Sequence, residues 1–135
     1  VCREWNLPQT ALDILLFLAN NSEYDTARDI CRIRGIKANL VSFHVEKLVQ
    51  AGYLQREAVP GDRRRVKLLL TEKSINVVEQ GRAVQQSYRE ILTAHIAPSD
   101  MEAFGRCMDT MRQNIEAAKR TGTKIKLTEK GDKKR

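Results

Sequence analysis

One stretch decides the fold of this chain: Pro60-Gly61-Asp62-Arg63-Arg64-Arg65-Val66-Lys67-Leu68-Leu69-Leu70. Proline, glycine and aspartate in succession favour a tight turn. After the turn, Val66, Leu68 and Leu70 lie on one face of a segment with a period of two, which is typical of a strand. With the residues from Tyr53 to Val59 on the other side of the turn, the stretch predicts a β-hairpin over residues 53–71 with arginines at its tip.

The residues before the hairpin have the period of helices. Residues 7–20 are apolar on nearly every side, which predicts a scaffold helix buried at the centre of the domain. A second helix over residues 26–34 starts at Thr26, and Asp29 three positions later completes the pattern of a capping box. This helix is predicted to end near Gly35, where the chain turns.

A third helix is predicted over residues 37–51, directly before the hairpin. It stops at Gly52, because a left-handed C-cap conformation is easiest for glycine. Its apolar face consists of Val41, Val45, Leu48 and Val49. Two short helices joined by a glycine turn make a helix-turn-helix. The order of elements therefore predicts a mainly α fold with a small β-hairpin wing, a winged helix-turn-helix.

From Glu72 onward the helical period returns in two longer segments. In each segment, apolar residues recur alternately every four and three positions. The first seam contains Val77, Gly81, Val84, Tyr88, Ile91 and His95, and the second contains Met101, Phe104, Met108, Met111 and Ile115. Between the seams, Ser99 and Glu102 have the spacing of a capping box. Each seam needs a partner, and a second copy of the chain is the natural one, so a homodimer is predicted.

Basic residues are concentrated in two parts of the chain, whose overall net charge is +7. Residues 24–73 contain eleven bases and six acids, and residues 119–135 contain eight bases and two acids. The second of these segments has no apolar periodicity and is predicted to be a flexible tail. The folded basic surface therefore lies in residues 24–73, and a basic helix-turn-helix with a basic hairpin indicates nucleic-acid binding.

The third helix and the hairpin suit the two grooves of DNA. An α-helix fits the major groove, and a thin cationic hairpin reaches phosphates or the minor groove. Asn39 is expected to pair with adenine, Ser42 to contact a base or a phosphate, and Phe43 to touch thymine methyl groups. Cations on the helices are expected to contact phosphates. The predicted DNA-binding residues are Arg28, Lys37, Ala38, Asn39, Ser42, Phe43, Lys47, Asp62, Arg63, Arg64 and Arg65.

At the hairpin tip, Asp62 stands two positions before Arg64. We expect its carboxylate to fix the Arg64 guanidinium by a charge-assisted hydrogen bond. A cation oriented in this way is ready to enter a narrow minor groove. Arg63 and Arg65 are expected to contact phosphates.

The residues around the hairpin resemble the MarR family of bacterial transcription regulators. The resemblance is carried by Leu48-Val49-Gln50-Ala51-Gly52-Tyr53-Leu54 and by Asp62-Arg63-Arg64-Arg65-Val66-Lys67-Leu68-Leu69-Leu70-Thr71-Glu72-Lys73. It implies that residues 37–51 form the recognition helix and that Arg64, anchored by Asp62, is the minor-groove arginine. It also implies that the helices over residues 72–97 and 99–118 are dimerisation helices. Members of the family often bind a small aromatic or phenolic effector.

Some residues depart from the family's pattern. Only residues 1–6 stand where members usually have a further helix. Phe43 occupies a position where a basic residue is common, and His44 one where an aliphatic core residue is common. An unusual preference for bases is therefore expected.

The sequence thus predicts three parts: a DNA-binding lobe over residues 1–73, a helical dimerisation region over residues 74–118 and a basic tail over residues 119–135. The predicted function is a ligand-responsive repressor that binds a pseudo-palindromic operator of double-stranded DNA as a homodimer in the cytoplasm. A winged-helix module that binds protein instead of DNA is the alternative, because the same fold serves both purposes.

Other classes of function lack their sequence signals. The chain has only two histidines and no glycine-rich phosphate loop, so neither an enzyme nor a metal or cofactor site is predicted. Its three cysteines, Cys2, Cys31 and Cys107, have no metal-ligand spacing and no disulfide framework, which fits a reducing compartment. The longest apolar stretch is too short for a membrane span, so no membrane association is predicted.

Overall fold

The computed structural model describes residues 1–122, and residues 123–135 lie outside the described part, with most of the predicted basic tail. The chain divides after Leu92 into two compact units. The first unit contains α1 (Cys2–Trp5), α2 (Gln9–Asn20), α3 (Ala27–Arg34), α4 (Ala38–Gln50), β1 (Leu54–Val59), β2 (Asp62–Leu70) and nearly all of α5 (Glu72–Thr93), and the second contains α6 (Pro98–Thr121). The predicted fold class, mainly α with a small hairpin wing, is confirmed.

Helix α2 is the centre of the first unit. Its buried residues are Ala11, Leu12, Ile14, Leu15, Leu16, Phe17 and Leu18. Side chains of every later element of the unit join the same core, among them Ile30, Val41, Val45, Leu48, Leu54, Leu68, Val77 and Val78. The predicted scaffold helix is therefore correct. It begins at Gln9 and not at residue 7, because Pro8 disfavours helical backbone at the residue before it and occupies the N-cap in an extended conformation.

Helices α3 and α4 form the predicted helix-turn-helix. The capping box is present: the Thr26 hydroxyl accepts from the Asp29 backbone N–H at 3.2 Å, and the Asp29 carboxylate accepts from the Thr26 N–H at 3.3 Å. Gly35 ends α3 with a φ of 65°, and Gly52 follows α4 with a φ of 82°. Both are left-handed conformations, which glycine adopts without steric cost.

The hairpin pairs β1 with β2 in antiparallel register, from Leu54 opposite Leu70 to Ala58 opposite Val66. The backbone N–H of Leu68 also donates to the carbonyl of Asp25 at 2.7 Å, which ties the base of β2 to the loop before α3. Leu68 is buried, whereas Val66, nearer the tip, is exposed. The hairpin is therefore anchored at its base.

Helix α5 begins inside the core of the first unit. Its buried residues are Ser74, Val77, Val78 and Gly81. A Cβ atom at Gly81 would lie 2.8 Å from Cδ2 of Leu16, so α5 and α2 approach closely there. This packing explains why the structural division falls after Leu92, whereas the sequence suggested a boundary after residue 73.

The ends of the two long helices differ from the sequence prediction. Helix α5 stops at Thr93, four residues before its predicted end, and His95 follows with a left-handed φ of 64°. Helix α6 starts at Pro98 with Ala97 as N-cap and has no side-chain cap, so the predicted capping box of Ser99 and Glu102 is wrong. Proline favours the first helical position because its φ is already helical, and this places Ser99 inside the first turn.

The second unit, in its described part, consists of α6 and the residues that precede it. The helix runs to Thr121, three residues into the segment that was predicted as a tail, and Gly122 ends it with a φ of 66°. None of its side chains is buried. Among residues 1–122, no helix is long and apolar enough to cross a membrane.

We predict that Thr26→Ala lowers the free energy of unfolding by about 1 kcal/mol, because the first turn of α3 loses its hydroxyl acceptor. Thr26→Ser is the matched control, since serine keeps the hydroxyl. Urea unfolding followed by circular dichroism measures the effect. Equal midpoints for the alanine and serine variants would contradict a stabilising role for this cap.

Candidate nucleic-acid interface

One side of α4 is buried and the other is open to solvent. Val41, Val45 and Leu48 pack into the core. The predicted DNA-contacting residues at this helix all lie on the open side and are exposed: Lys37, Ala38, Asn39, Ser42, Phe43 and Lys47. The structure therefore brings these six residues together on one accessible surface, which we call the outer face of α4.

Phe43 is the largest apolar side chain on the outer face of α4, and 55% of its surface is exposed. The Lys47 Nζ lies 5.7 Å from the centre of its ring, a cation–π distance. The ring of His44 meets it edge-on, with 5.2 Å between the centroids. The face thus offers an aromatic surface next to a cation, which suits contact with a base methyl group and a neighbouring phosphate.

Glu46 is the one acidic residue in α4, and the structure gives it a partner. Arg56 Nη2 of β1 lies 2.7 Å from Oε2 of Glu46, and Gln50 Nε2 donates to Oε1 at 3.2 Å. The hydrogen bond and the positive charge of Arg56 lower the pKa of Glu46. The carboxylate is therefore ionised and its charge is balanced, although a surface ion pair of this kind adds little stability. Sequence reasoning missed this link, because no spacing rule relates a helix residue to a strand residue ten positions later.

The tip of the hairpin is shaped by Asp62. Its Oδ1 accepts from the backbone N–H of Arg64 at 3.0 Å, and no ion pair of Asp62 occurs within residues 1–122. The predicted bond from Asp62 to the Arg64 guanidinium is therefore wrong. The short Asp62 side chain reaches the backbone N–H two residues ahead more easily than it reaches the distant guanidinium of Arg64. The resulting hydrogen bond has the geometry of an Asx turn.

The arginines of the tip differ in their partners. Arg65 Nη2 lies 3.4 Å from Oδ1 of Asp25, so Arg65 is attached to the body of the unit. In the described part of the chain, neither Arg63 nor Arg64 has a side-chain hydrogen bond or ion pair. Two guanidinium groups at the tip are thus left for an external anion.

A cleft of about 490 Å³ separates the hairpin from the start of α3. Arg28 of α3 lines it on one side, and Arg64 and Arg65 line it on the other. Arg28 was predicted from the sequence to contact phosphates, but the sequence did not predict that it lies close to the hairpin. The structure puts all three cations at one opening, whose lining also includes the acidic residues Glu23, Asp29 and Asp62.

Among the described residues, no three histidine, cysteine, aspartate or glutamate side chains are grouped as metal ligands. The amide, hydroxyl, aromatic and cationic groups on the outer face of α4 match what a helix uses to read base edges and contact phosphates.

The comparisons with known proteins agree with this architecture. The sequence profile described as the MarR family matches residues 5–65, from the end of α1 to the tip of the hairpin. No curated protein matches the chain by sequence.

Three solved structures illustrate the likeness of the fold. A MarR protein from Peptoclostridium difficile is 19% identical with a TM-score of 0.70, and the match covers 86% of this chain and 75% of that one. The transcriptional regulator PA3341 is 23% identical with a TM-score of 0.77, over 85% and 84% of the two chains. The S. aureus protein MepR, solved as a DNA complex, is 16% identical with a TM-score of 0.69, over 84% and 82%.

At these identities the solved structures establish the fold alone. The family profile covers the helix-turn-helix and most of the wing, the same region that carries the exposed cations. Residues 5–65 thus match the MarR family, and the chain has the winged-helix fold of MarR structures.

Proposed function

We propose that the protein is a transcription regulator that binds a pseudo-palindromic DNA operator as a homodimer and acts as a ligand-responsive repressor. The observation that carries the proposal is that the exposed face of α4 occurs together with a hairpin tip at which the Arg64 side chain has no partner in the described part of the chain. MepR, which shares the fold, has been solved with DNA bound.

In this proposal the outer face of α4 enters the major groove. Asn39 pairs with adenine, Ser42 contacts a base or a phosphate, and Phe43 packs against thymine methyl groups. The phosphate contacts are made by Lys37, Lys47, Arg28 and Arg63. Phosphate contacts give affinity without sequence preference, so base choice in the major groove comes from the three uncharged side chains.

Arg64 enters the adjacent minor groove, where narrow A·T-rich segments concentrate negative potential. The Asp62 carboxylate accepts a hydrogen bond from the backbone N–H of Arg64, so the Arg64 guanidinium remains available to the groove. Arg65 contributes less to phosphate binding, because it already forms an ion pair with Asp25.

We predict that Arg64→Ala weakens binding to the preferred DNA by about tenfold or more, the cost typical of losing one specific arginine contact. Arg106→Ala is the control, because it removes the same charge from an exposed position on α6. The preferred fragment comes from selection out of a random DNA pool, and fluorescence anisotropy at several salt concentrations measures affinity. Equal affinities for the two variants would contradict the assignment of Arg64.

The alternative function, a winged-helix module that binds protein, predicts a different result in the same experiment. Selection would yield no enriched DNA, and any DNA binding would be weak for every sequence. An enriched sequence with two related half-sites supports a homodimeric regulator. A single asymmetric half-site would argue against two recognition helices acting together.

The homodimer is proposed from apolar side chains that remain exposed in a single chain. On α5 these are Val84, Tyr88, Ile91 and Leu92, and on α6 they are Phe104, Met108, Met111 and Ile115. Exposed apolar residues that recur along a helix mark an interface with another protein surface. The spacing of four and three residues is that of helices packed along a seam.

We predict that the unmodified protein sediments as a dimer at micromolar concentration and that Ile91→Asp converts it to a monomer. A carboxylate at a buried seam position is costly because the charge loses its water. Ser87→Asp on the same helix, also exposed in the single chain, is the matched control and should remain dimeric. Sedimentation velocity distinguishes the species, and a monomeric unmodified protein would contradict the homodimer.

The effector is proposed to bind in a cleft of about 720 Å³ within the first unit. Its apolar lining includes Leu12, Leu16, Val84 and Tyr88, and its polar lining includes Arg3, Gln9, Asp13 and Gln85. An apolar cavity with a few polar groups suits a small aromatic molecule, and Arg3 would pair with a carboxylate or phenolate.

We predict that a phenol or aromatic carboxylate such as 4-hydroxybenzoate binds the unmodified protein and releases it from its DNA. Gln9→Trp should abolish both effects, because the indole fills the cleft from a position outside the proposed dimer seam. Isothermal titration calorimetry measures the binding. Binding that is unchanged in Gln9→Trp would place the effector elsewhere.

A further inference from the structure

The turn that follows α4 is held by residues from far along the chain. Lys73 Nζ donates to the carbonyl of Ala51 at 2.6 Å. The Thr71 hydroxyl donates to the carbonyl of Gly52 at 2.6 Å, and the Thr71 backbone N–H donates to the carbonyl of Tyr53 at 3.2 Å. Three successive carbonyls at the end of α4 are therefore each bonded by Thr71 or Lys73, an arrangement that we call the carbonyl clamp.

Lys73 is fixed in the carbonyl clamp by more than one contact. Its Nζ also lies 4.5 Å from the centre of the Tyr53 ring, and Tyr53 is itself buried. A Cβ at Gly52 would meet Cδ of Lys73 at 3.8 Å, so the lysine stem packs against the turn. A cation at the C-terminal end of a helix is also favoured by the helix dipole. Lys73 thus contacts the end of α4 through both its ammonium and its stem, while its side chain remains exposed.

The helix that carries Lys73 holds a second helix end in a similar way. Arg82, also on α5, donates to the carbonyl of Ala19 at 2.6 Å and to Oδ1 of Asn20 at 2.9 Å. These acceptors lie at the end of α2. Helix α5 therefore fixes the C-terminal ends of both the central scaffold helix and α4.

The carbonyl clamp also closes the hairpin onto the helix. The chain runs from α4 through Gly52 into β1, returns along β2 and reaches Thr71, which bonds back to Gly52. Both ends of the hairpin are thus joined at the end of α4. This junction joins the Glu46–Arg56 ion pair as a second link between α4 and the hairpin.

We propose that Lys73, together with Thr71, is a positioning residue for sequence-specific DNA binding, because the carbonyl clamp sets the angle between α4 and the hairpin. The inference rests on the proposed function. Reading both grooves at once requires that α4 and Arg64 have a fixed relative placement before binding, which lowers the entropy cost of association. Contacts with phosphates alone tolerate a variable angle, since every duplex offers phosphates along its length.

The test compares specific with nonspecific DNA binding in Lys73→Met, whose side chain keeps an apolar stem and loses the ammonium. We expect the ratio of affinities for the selected fragment and a random duplex of equal length to fall by about tenfold, the size of one charge-assisted hydrogen bond. Affinity for the random duplex should match that of Lys119→Met, a control that removes the same charge from an exposed position on α6. Lys73→Arg, which keeps a cationic donor, should recover most of the ratio.

Two further measurements separate positioning from unfolding. Amide exchange at Gly52 and Tyr53 should be faster in Lys73→Met, while the amides of α2 keep their protection. If Lys73→Met does not fold, Thr71→Val replaces it, with Thr71→Ser as the control that keeps the hydroxyl.

A ratio that stays at the unmodified value, or that falls equally in Lys119→Met, overturns the inference. An unmodified protein that binds selected and random DNA equally well overturns the proposed function itself. The two failures are therefore distinguishable, because the first occurs only when the unmodified protein discriminates between the two duplexes.

Discussion

The structure of the first unit depends on the burial of α2. This helix is apolar around almost its whole circumference, so it removes its surface from water only when other elements pack on several sides. Ile14 and Leu15 have no exposed surface. Full burial of one such side chain contributes roughly 1.5–3 kcal/mol, which makes this helix the main source of cohesion. Helices α4 and α5 both pack on this core, and their opposite sides, which carry polar and some apolar residues, face outward.

Acidic residues decide which arginines of the basic segment are available. Glu46 holds Arg56 beside α4, and Asp25 holds Arg65 at the side of the hairpin. Asp62 acts on the backbone and leaves the Arg64 side chain without a partner in the described part of the chain. The number of basic residues in the sequence is therefore larger than the number of cations that have no acidic partner in the fold. The proposed minor-groove contact is a residue whose charge the fold leaves uncompensated.

Helix α5 connects the elements of the first unit because its polar side chains bind the ends of other helices. Lys73 holds the end of α4 and Arg82 holds the end of α2, while Gly81 allows α5 to approach Leu16. The later part of the same helix carries the exposed apolar residues for which a partner chain is proposed. One helix thus joins the core, α4 and the proposed dimer seam.

Local sequence was sufficient for most of the secondary structure. The apolar period of residues 7–20, the capping box of Thr26 and Asp29 and the turn at Gly61 each predicted an element that the structure contains, because each depends on neighbours a few residues apart. Errors arose where two local rules competed. At the start of α6, proline at the first helical position prevailed over the serine cap, and at the hairpin tip a backbone N–H prevailed over a guanidinium as the partner of Asp62.

The sequence by itself therefore determined the helices, the hairpin and the basic segment, since periodicity, turns and charge are properties of short stretches. Only the tertiary structure decided which charges are paired and how the end of α4 is held. The pairs Glu46 with Arg56, Asp25 with Arg65 and Ala51 with Lys73 join residues between ten and forty positions apart. Such pairs exist because the burial of α2 brings distant elements together, and no local pattern encodes that distance.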